Sequence, residues 1–332
     1  MRKQLLLLLF LSVFLTGCRD RLVKLPELAY SPMRSFSEFP DSSFFKSISC
    51  MDVVDGKLYM FDQTRSDVAV LDLQTDSFYT VGTHGQGPEE LANPYSFYVQ
   101  ADTVYIWDGG ALTLKGFAGG KHSHTLAVCG GSMNRFFVEG DSIYLPLVSD
   151  EASFVKVPKS WQRGDEAHLV YGRHVFQISE DPSMNSVRNV RHLLKGTGCF
   201  YAVCPSYPVV EKYDLHTDAL LASYDLSRID FVKDDLDFIA ERNSGPKSYT
   251  TSFKDAYCFG NKLFILFSSQ RGGFSTDKVI VLEDKGGELV PTGLIRLTPG
   301  AIFESVCVDE NCFYAMNYET SSVEIYQFGD PL

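Results

Sequence analysis

Positive charge is scarce in this chain and nowhere concentrated. The 332 residues hold 30 Lys and Arg against 42 Asp and Glu, a net charge of −12. Loss of residues 1–17 would remove Arg2 and Lys3 and leave about −14. Such a surface repels phosphate backbones and anionic headgroups, and no basic run offsets it locally, so no nucleic-acid partner is expected. C-x-x-C pairs are missing, and no two cysteines have zinc-ribbon spacing. There is no Gly-x-Ser-x-Gly elbow, His-Glu-x-x-His, EF-hand loop, Walker lysine or sialidase Asp-box. No Pro-, Ser- or Gly-rich linker divides the chain, so one domain is expected. The apolar run Leu5–Leu15 is too short for a membrane helix, and no other segment is long and apolar enough for one.

What the chain does hold is aromatic: 17 Tyr and 25 Phe, residues suited to half-buried pleated surfaces. They recur inside one short phrase. It reads Lys57-Leu58-Tyr59-Met60-Phe61-Asp62, then Thr103-Val104-Tyr105-Ile106-Trp107-Asp108, and returns around Tyr144, Tyr201, Phe264 and Tyr314. A period of about 50 residues marks solenoids and propellers. Each copy resolves into short strands broken by turn residues, as Asp55-Gly56 and Gln74-Thr75-Asp76 break the first. The sixth copy stops one strand short. Part of 21–39 is expected to supply that strand and cover an otherwise open edge. The fold class expected is therefore all-β, a six-bladed β-propeller with its last blade closed by an N-terminal strand.

Two stretches do not fit a blade. Ile229, Val232, Leu236 and Ile239 fall at helical spacing within 227–248, and Gly245-Pro246 ends the pattern. Trp161–Glu166 reads as a polar excursion.

The amino terminus reads as an address. Arg2-Lys3 precedes an apolar run from Leu5 to Leu15, the layout of a secretory signal. Leu15-Thr16-Gly17-Cys18 resembles the bacterial lipobox, which implies lipidation of Cys18. The expected division is 1–17 signal peptide, 18–24 lipid anchor and short tether, 25–332 propeller. Arg19-Asp20-Arg21 lacks the acidic cluster of some surface-exported lipoproteins, so the expected location is the outer membrane facing the periplasm. If Cys18 is lipidated, seven cysteines remain. The odd number argues against a full disulfide framework, with buried thiols expected and a Cys307–Cys312 pair the alternative.

Gly82-Thr83-His84-Gly85-Gln86-Gly87-Pro88-Glu89-Glu90-Leu91 links the first two copies. This G-x-G-P-x-E phrase resembles the TolB-like six-bladed propeller lipoproteins of Bacteroidetes, with NHL-type propellers as looser relatives. Ala256–Ser268 extends the likeness. The resemblance implies an envelope location and a propeller fold, and no particular chemistry. Read by itself, the phrase is a structural turn: Gly85 and Gly87 supply positive φ, Pro88 fixes the next step, and Glu89-Glu90 open a helical turn.

Candidate site residues follow from the repeat. The first strand of a propeller blade lines the central channel. Nine residues before each anchor aromatic stand Cys50, Ser96, Arg135, His192, Asp255 and Ser305. Arg135, His192 and Asp255, with Ser96 and Ser305 beside them, are expected to face the channel as a polar binding site. Asp62, Asp108 and Asn317 recur after their anchors, as turn caps or as calcium ligands. His122 and His124 alternate and are expected on one strand face. No cofactor, metal ligand set or catalytic residue is assigned. The expected function is an envelope lipoprotein that binds a glycan, peptide or protein; the alternative is a metal-dependent hydrolase or lyase with its site in the channel.

Overall fold

The computed structural model describes residues 22–328 apart from 40, 46, 150–151, 166–168, 173–180 and 243–249. Six antiparallel sheets follow the six copies of the aromatic phrase. Blade 1 runs Ile48–Val54, Lys57–Asp62, Asp67–Asp72 and Phe78–Val81. Blades 2 to 6 begin with innermost strands Pro94–Gln100, Phe137–Glu139, His192–Lys195, Phe253–Phe259 and Phe303–Val308. Asp55 and Gly56 both take positive φ in the first hairpin, as an Asp-Gly turn requires.

The second strand of each blade is apolar on both faces because it has a blade on either side. Leu58 and Met60 pack toward blade 6, Tyr59 and Phe61 toward blade 2. Each anchor aromatic sits at the seam with the following blade: Tyr105 against Ile143 and Val155, Tyr144 against Phe200 and Tyr213, Tyr201 against Ile265. Phe264 meets Phe313, and Tyr314 meets Met51 to complete the circuit. The seam between blades 3 and 4 is almost wholly aromatic. Phe137 stacks on Tyr144 at 4.3 Å and Phe200 on Tyr213 at 5.0 Å. Such pairs add about 0.5–1.5 kcal/mol each beyond the area they bury.

Residues 22–39 wrap the rim. The Val23 N–H donates to the Arg228 carbonyl at 2.8 Å, and its carbonyl accepts from Asp230. Glu27–Ala29 adds a fifth strand to blade 5, parallel to Leu289–Arg296. Arg34–Phe36 is the outer strand of the last sheet, antiparallel to Ser322–Gln327. Phe39 and Phe45 bury themselves against that sheet and blade 1.

Among the described residues, two helices interrupt the repeat where the chain passes between blades. The first, α1, is Pro182–Asn189, capped by Asp181, whose carboxylate accepts from Ser183 N–H. Its polar sequence hides it from a periodicity search, and no helix is expected there from the sequence. The second, α2, is Asp230–Arg242. Val232 is fully buried, and Asp235 faces inward too, accepting from the backbone N–H groups of Gln270 and Arg271 at 2.8 Å. Gly245-Pro246 lies outside the described residues. The excursion at 161–166 is not wholly polar, because Trp161 packs into the seam between blades 2 and 3. Among the described residues no helix is long and apolar enough to cross a membrane.

Candidate functional site

The axis is closed by one side chain. Arg135 precedes the innermost strand of blade 3 and crosses the channel to blades 5, 6 and 1. Its Nε and Nη2 donate to the two oxygens of Asp255, both at 2.6 Å. Nη1 donates to the Met51 carbonyl and Nη2 to the Val306 carbonyl, at 3.0 and 2.9 Å. Asp255 in turn accepts from Ser305 Oγ and from the Val306 and Ala256 N–H groups. The Tyr257 ring lies 5.3 Å from the guanidinium, and its hydroxyl donates to Asp52 at 2.6 Å. Burial pushes the Asp255 carboxyl up, but the Arg135 charge and these hydrogen bonds outweigh it and hold it below the usual carboxylate range.

His192 stands beside this pair. Its Nδ1 accepts from the Arg135 backbone N–H at 3.3 Å. Burial, helped by the Arg135 charge, brings its pKa down from 6.5 to about 4, so the ring is neutral at pH 7. The residues nine before each anchor are all buried; Cys50, Arg135, His192 and Asp255 border one open cavity, whereas Ser96 and Ser305 do not. Arg135, Asp255, Ser305 and His192 come together as a latch. Cys50 lies in the channel wall. Ser96 is fully buried, and its hydroxyl has no hydrogen-bond partner among the described residues.

The latch divides the channel. On one side is a small cavity of about 210 Å³ lined by Asp52, Tyr98, Lys195 and Tyr257. On the other is a wide mouth of about 750 Å³, and Arg135 borders both. Beside Cys50, Arg135, His192 and Asp255, its lining holds residues one position earlier: Ser49, Tyr95, Asn134, Lys254 and Glu304. Four of these are bulge residues. The ladder shifts register between Ile48 and Cys50, Pro94 and Ser96, Phe253 and Asp255, and Phe303 and Ser305. Each bulge lets two consecutive residues oppose one partner, so the extra side chain is freed to face the mouth. Val187 and Val190, in and just after α1, and Ser206 complete the wall on the blade 4 side.

The other sequence candidates resolve as follows. Cys18 lies outside the described residues. The seven remaining cysteines are free thiols, Cys307 and Cys312 included. Asp62 Oδ1 accepts from the N–H groups of Ser47, Thr64 and Arg65, and Asp108 from those of Ala92 and Asn93. Asn317 caps Glu319 and Thr320 likewise. Among the described residues no group of three His, Cys, Asp or Glu is placed to hold a metal. His122 and His124 lie on opposite faces rather than one. A bulge between them pairs His122 with Phe117 and His124 with Gly116, so one ring meets Phe117 and the other Tyr105.

The G-x-G-P-x-E phrase is a turn, but not for the expected reason. Neither Gly85 nor Gly87 has positive φ; Gly82 does. The glycines make room for Glu90, whose Oε2 accepts from the Gly87 N–H at 2.7 Å. A Cβ on Gly85 would lie 2.0 Å from that oxygen. Glu89 and Glu90 open no helix. Lys115 donates to the Glu90 carbonyl and pairs with Asp108, fixing the loop over blade 2.

Six sheets around one closed axis decide the architecture. The chain is a six-bladed β-propeller. A family described as 6-bladed beta-propeller, DUF5128, matches residues 38–113. No curated protein matches the chain. Among solved structures, a member of the DUF4221 family from Bacteroides vulgatus ATCC 8482 is 11% identical, covers 93% of this chain and 99% of its own, and superposes with a TM-score of 0.58. A Bacteroides fragilis NCTC 9343 protein named as exported is also 11% identical, with 88% of each chain covered and a TM-score of 0.51. A chain of a mitotic checkpoint complex is 7% identical over 91% of this propeller and 93% of its own length, at 0.54. At such identities the likeness concerns the fold alone.

Proposed function

We propose that this propeller is an exported, lipid-anchored binding module whose ligand enters the wide mouth. One observation carries the reading: the latch turns the channel into a blind mouth of about 750 Å³ that combines polar side chains with an apolar lip. That volume lies inside the range of about 300–1,000 Å³ typical of ligand pockets. The bulges add to it, since bulges gather where a strand must re-aim a side chain toward a site. Export and anchoring rest on the signal-like amino terminus, on Cys18, and on the resemblance to TolB-like lipoproteins; the exported designation of the Bacteroides fragilis structure agrees. Among the described residues no group of three His, Cys, Asp or Glu is gathered in the mouth, so the geometry does not favour the hydrolase or lyase alternative.

The test is occlusion. Ser132→Trp would fill the mouth without touching the latch. Ligands found by thermal-shift screening of the parent protein should lose their stabilising effect on this variant. Ligands that stabilise both equally would place binding elsewhere. Cys18→Ala should release the protein from membranes; continued membrane association would remove the anchor from the reading.

A further inference from the structure

The five residues ten positions before the anchors of blades 1, 2, 3, 5 and 6 meet around the mouth, and their chemistry narrows the ligand. Ser49, Tyr95 and Asn134 are uncharged. Lys254 and Glu304 neutralise each other at 2.7 Å across neighbouring blades. The floor is the Arg135–Asp255 pair, also internally compensated. His192 is held neutral by burial. Among the described lining residues, every charge is therefore matched inside the protein. An ionic ligand would find no free counter-charge and would have to break a pair to gain one. Hydrogen-bonding capacity, by contrast, is abundant: Ser47, Gln63, Ser132, Ser206 and Thr251 join the ring. The lip is apolar, with Met133 59% exposed, Tyr318 56% and Val148 47%. Aromatic faces carry negative potential and attract polarised C–H bonds.

Resting on the binding reading above, we infer that the ligand is an uncharged oligosaccharide, its hydroxyls bonded by the ring of neutral side chains and a sugar face laid on Tyr318. A compound with many hydroxyls, no charge and an apolar ring face matches the mouth in each respect.

Calorimetric titration of the purified full-length protein tests this, with neutral hexose and pentose oligosaccharides, oligouronates, sulfated oligosaccharides and uncharged peptides of similar length as probes. Neutral oligosaccharides should bind, with affinity changed less than about twofold between about 50 mM and 500 mM salt, because no charge is neutralised on binding. Tyr318→Ala should weaken them about tenfold with an unchanged melting temperature. Tyr79→Ala, on the distant rim of blade 1, should leave binding intact. Binding confined to uronates, sulfated sugars or peptides, and still weakened by Tyr318→Ala, would overturn the sugar class but keep the mouth as the site. Neutral sugars that bind with Tyr318→Ala unaffected would overturn the assignment to this mouth. No binding by any probe would overturn the inference, while the occlusion test with screened ligands decides the broader reading separately.

Discussion

At Arg135 and Asp255, nine residues before their anchors, the axis is shut; at Lys254 and Glu304, ten residues before theirs, it is open. The two sets are chain neighbours, yet Arg135, Asp255 and Ser305 form a buried network of paired groups, whereas Lys254 and Glu304 are partly exposed in the mouth. The latch residues Arg135 and Asp255 are 7% and 5% exposed and hydrogen-bonded on every side. Lys254 and Glu304, their immediate neighbours, have side chains 36% and 24% exposed in the mouth. The same oppositely charged pairing thus occurs twice, once buried and once wet. Its two consequences should differ, because a buried charge stripped of its partner has no water to turn to, whereas a wet one has.

The largest expected effect tests the buried set. Arg135→Met leaves Asp255 buried and unpaired and should cost about 3–5 kcal/mol of stability, read as a lower urea midpoint. Asp255→Leu should cost a similar amount. The double variant should cost clearly less than the sum, since no lone charge remains. A single-variant loss below about 1 kcal/mol would mean the latch is no more than a surface pair and the contrast would fail.

The pH dependence is next in size. Folding lowers the His192 pKa from 6.5 to about 4. As pH falls below 6.5, the unfolded chain takes up a proton that the folded chain refuses until about pH 4. Stability is thus complete above pH 6.5 and drains away between 6.5 and about 4, at no more than about 1.4 kcal/mol per pH unit. Asp255, with its pKa held low, is ionised in this window and adds its own loss only at lower pH. His192→Gln, which can still accept from the Arg135 N–H, should flatten the 6.5-to-4 part of a stability–pH curve and leave the acid limb. An unchanged curve would show that His192 is hydrated from the mouth it borders and carries no burial penalty.

A site off the axis gives a reference for an ordinary polar contact. Glu90→Ala removes the carboxylate that closes the Gly85–Leu91 turn and should cost about 1–3 kcal/mol by the same urea measurement. Gly85→Ala, which displaces that carboxylate, should cost about as much; no loss from either would deny the loop its lock.

How far the sequence could reach is visible in these same residues. Tyr59 and its five counterparts repeat with their neighbours, so blade number and strand phase could be counted from them. Packing imposes that repetition: every seam needs an apolar plug. Arg135, Asp255 and Ser305 were reachable by counting back from the same anchors, although not as a latch, because pairing between blades 3, 5 and 6 has no local signature. Counting back reached Arg135, His192 and Asp255 in the mouth lining, but not the residues one position earlier that stand beside them. A bulge is a change of register, and Ser49, Tyr95, Lys254 and Glu304 share neither size nor charge that would announce one. The helix at 182–189 escaped for a related reason: its buried residues include Asn185, Ser186 and Asn189, which an apolar-periodicity search passes over. The glycines of the Glu90 turn are legible as a turn, but what Gly85 and Gly87 supply is room for a carboxylate and not positive φ.

The smallest effect is the one that decides whether the two sets differ. Lys254→Met and Glu304→Gln separate a pair that water reaches from the mouth, so each should change stability by less than about 1 kcal/mol, and a double-mutant cycle should give a coupling of about 0.2–1 kcal/mol. Salt should erase most of that coupling, as it does for exposed charges, while leaving the Arg135–Asp255 coupling nearly intact. A Lys254–Glu304 coupling of several kcal/mol, insensitive to salt, would mean the mouth is as dry as the latch. Its residues would then be structural staples between blades 5 and 6, and a ligand could not be read from their charges. A weak, screened coupling leaves these side chains held in place but free to meet a ligand, as a binding surface one residue from a load-carrying one requires.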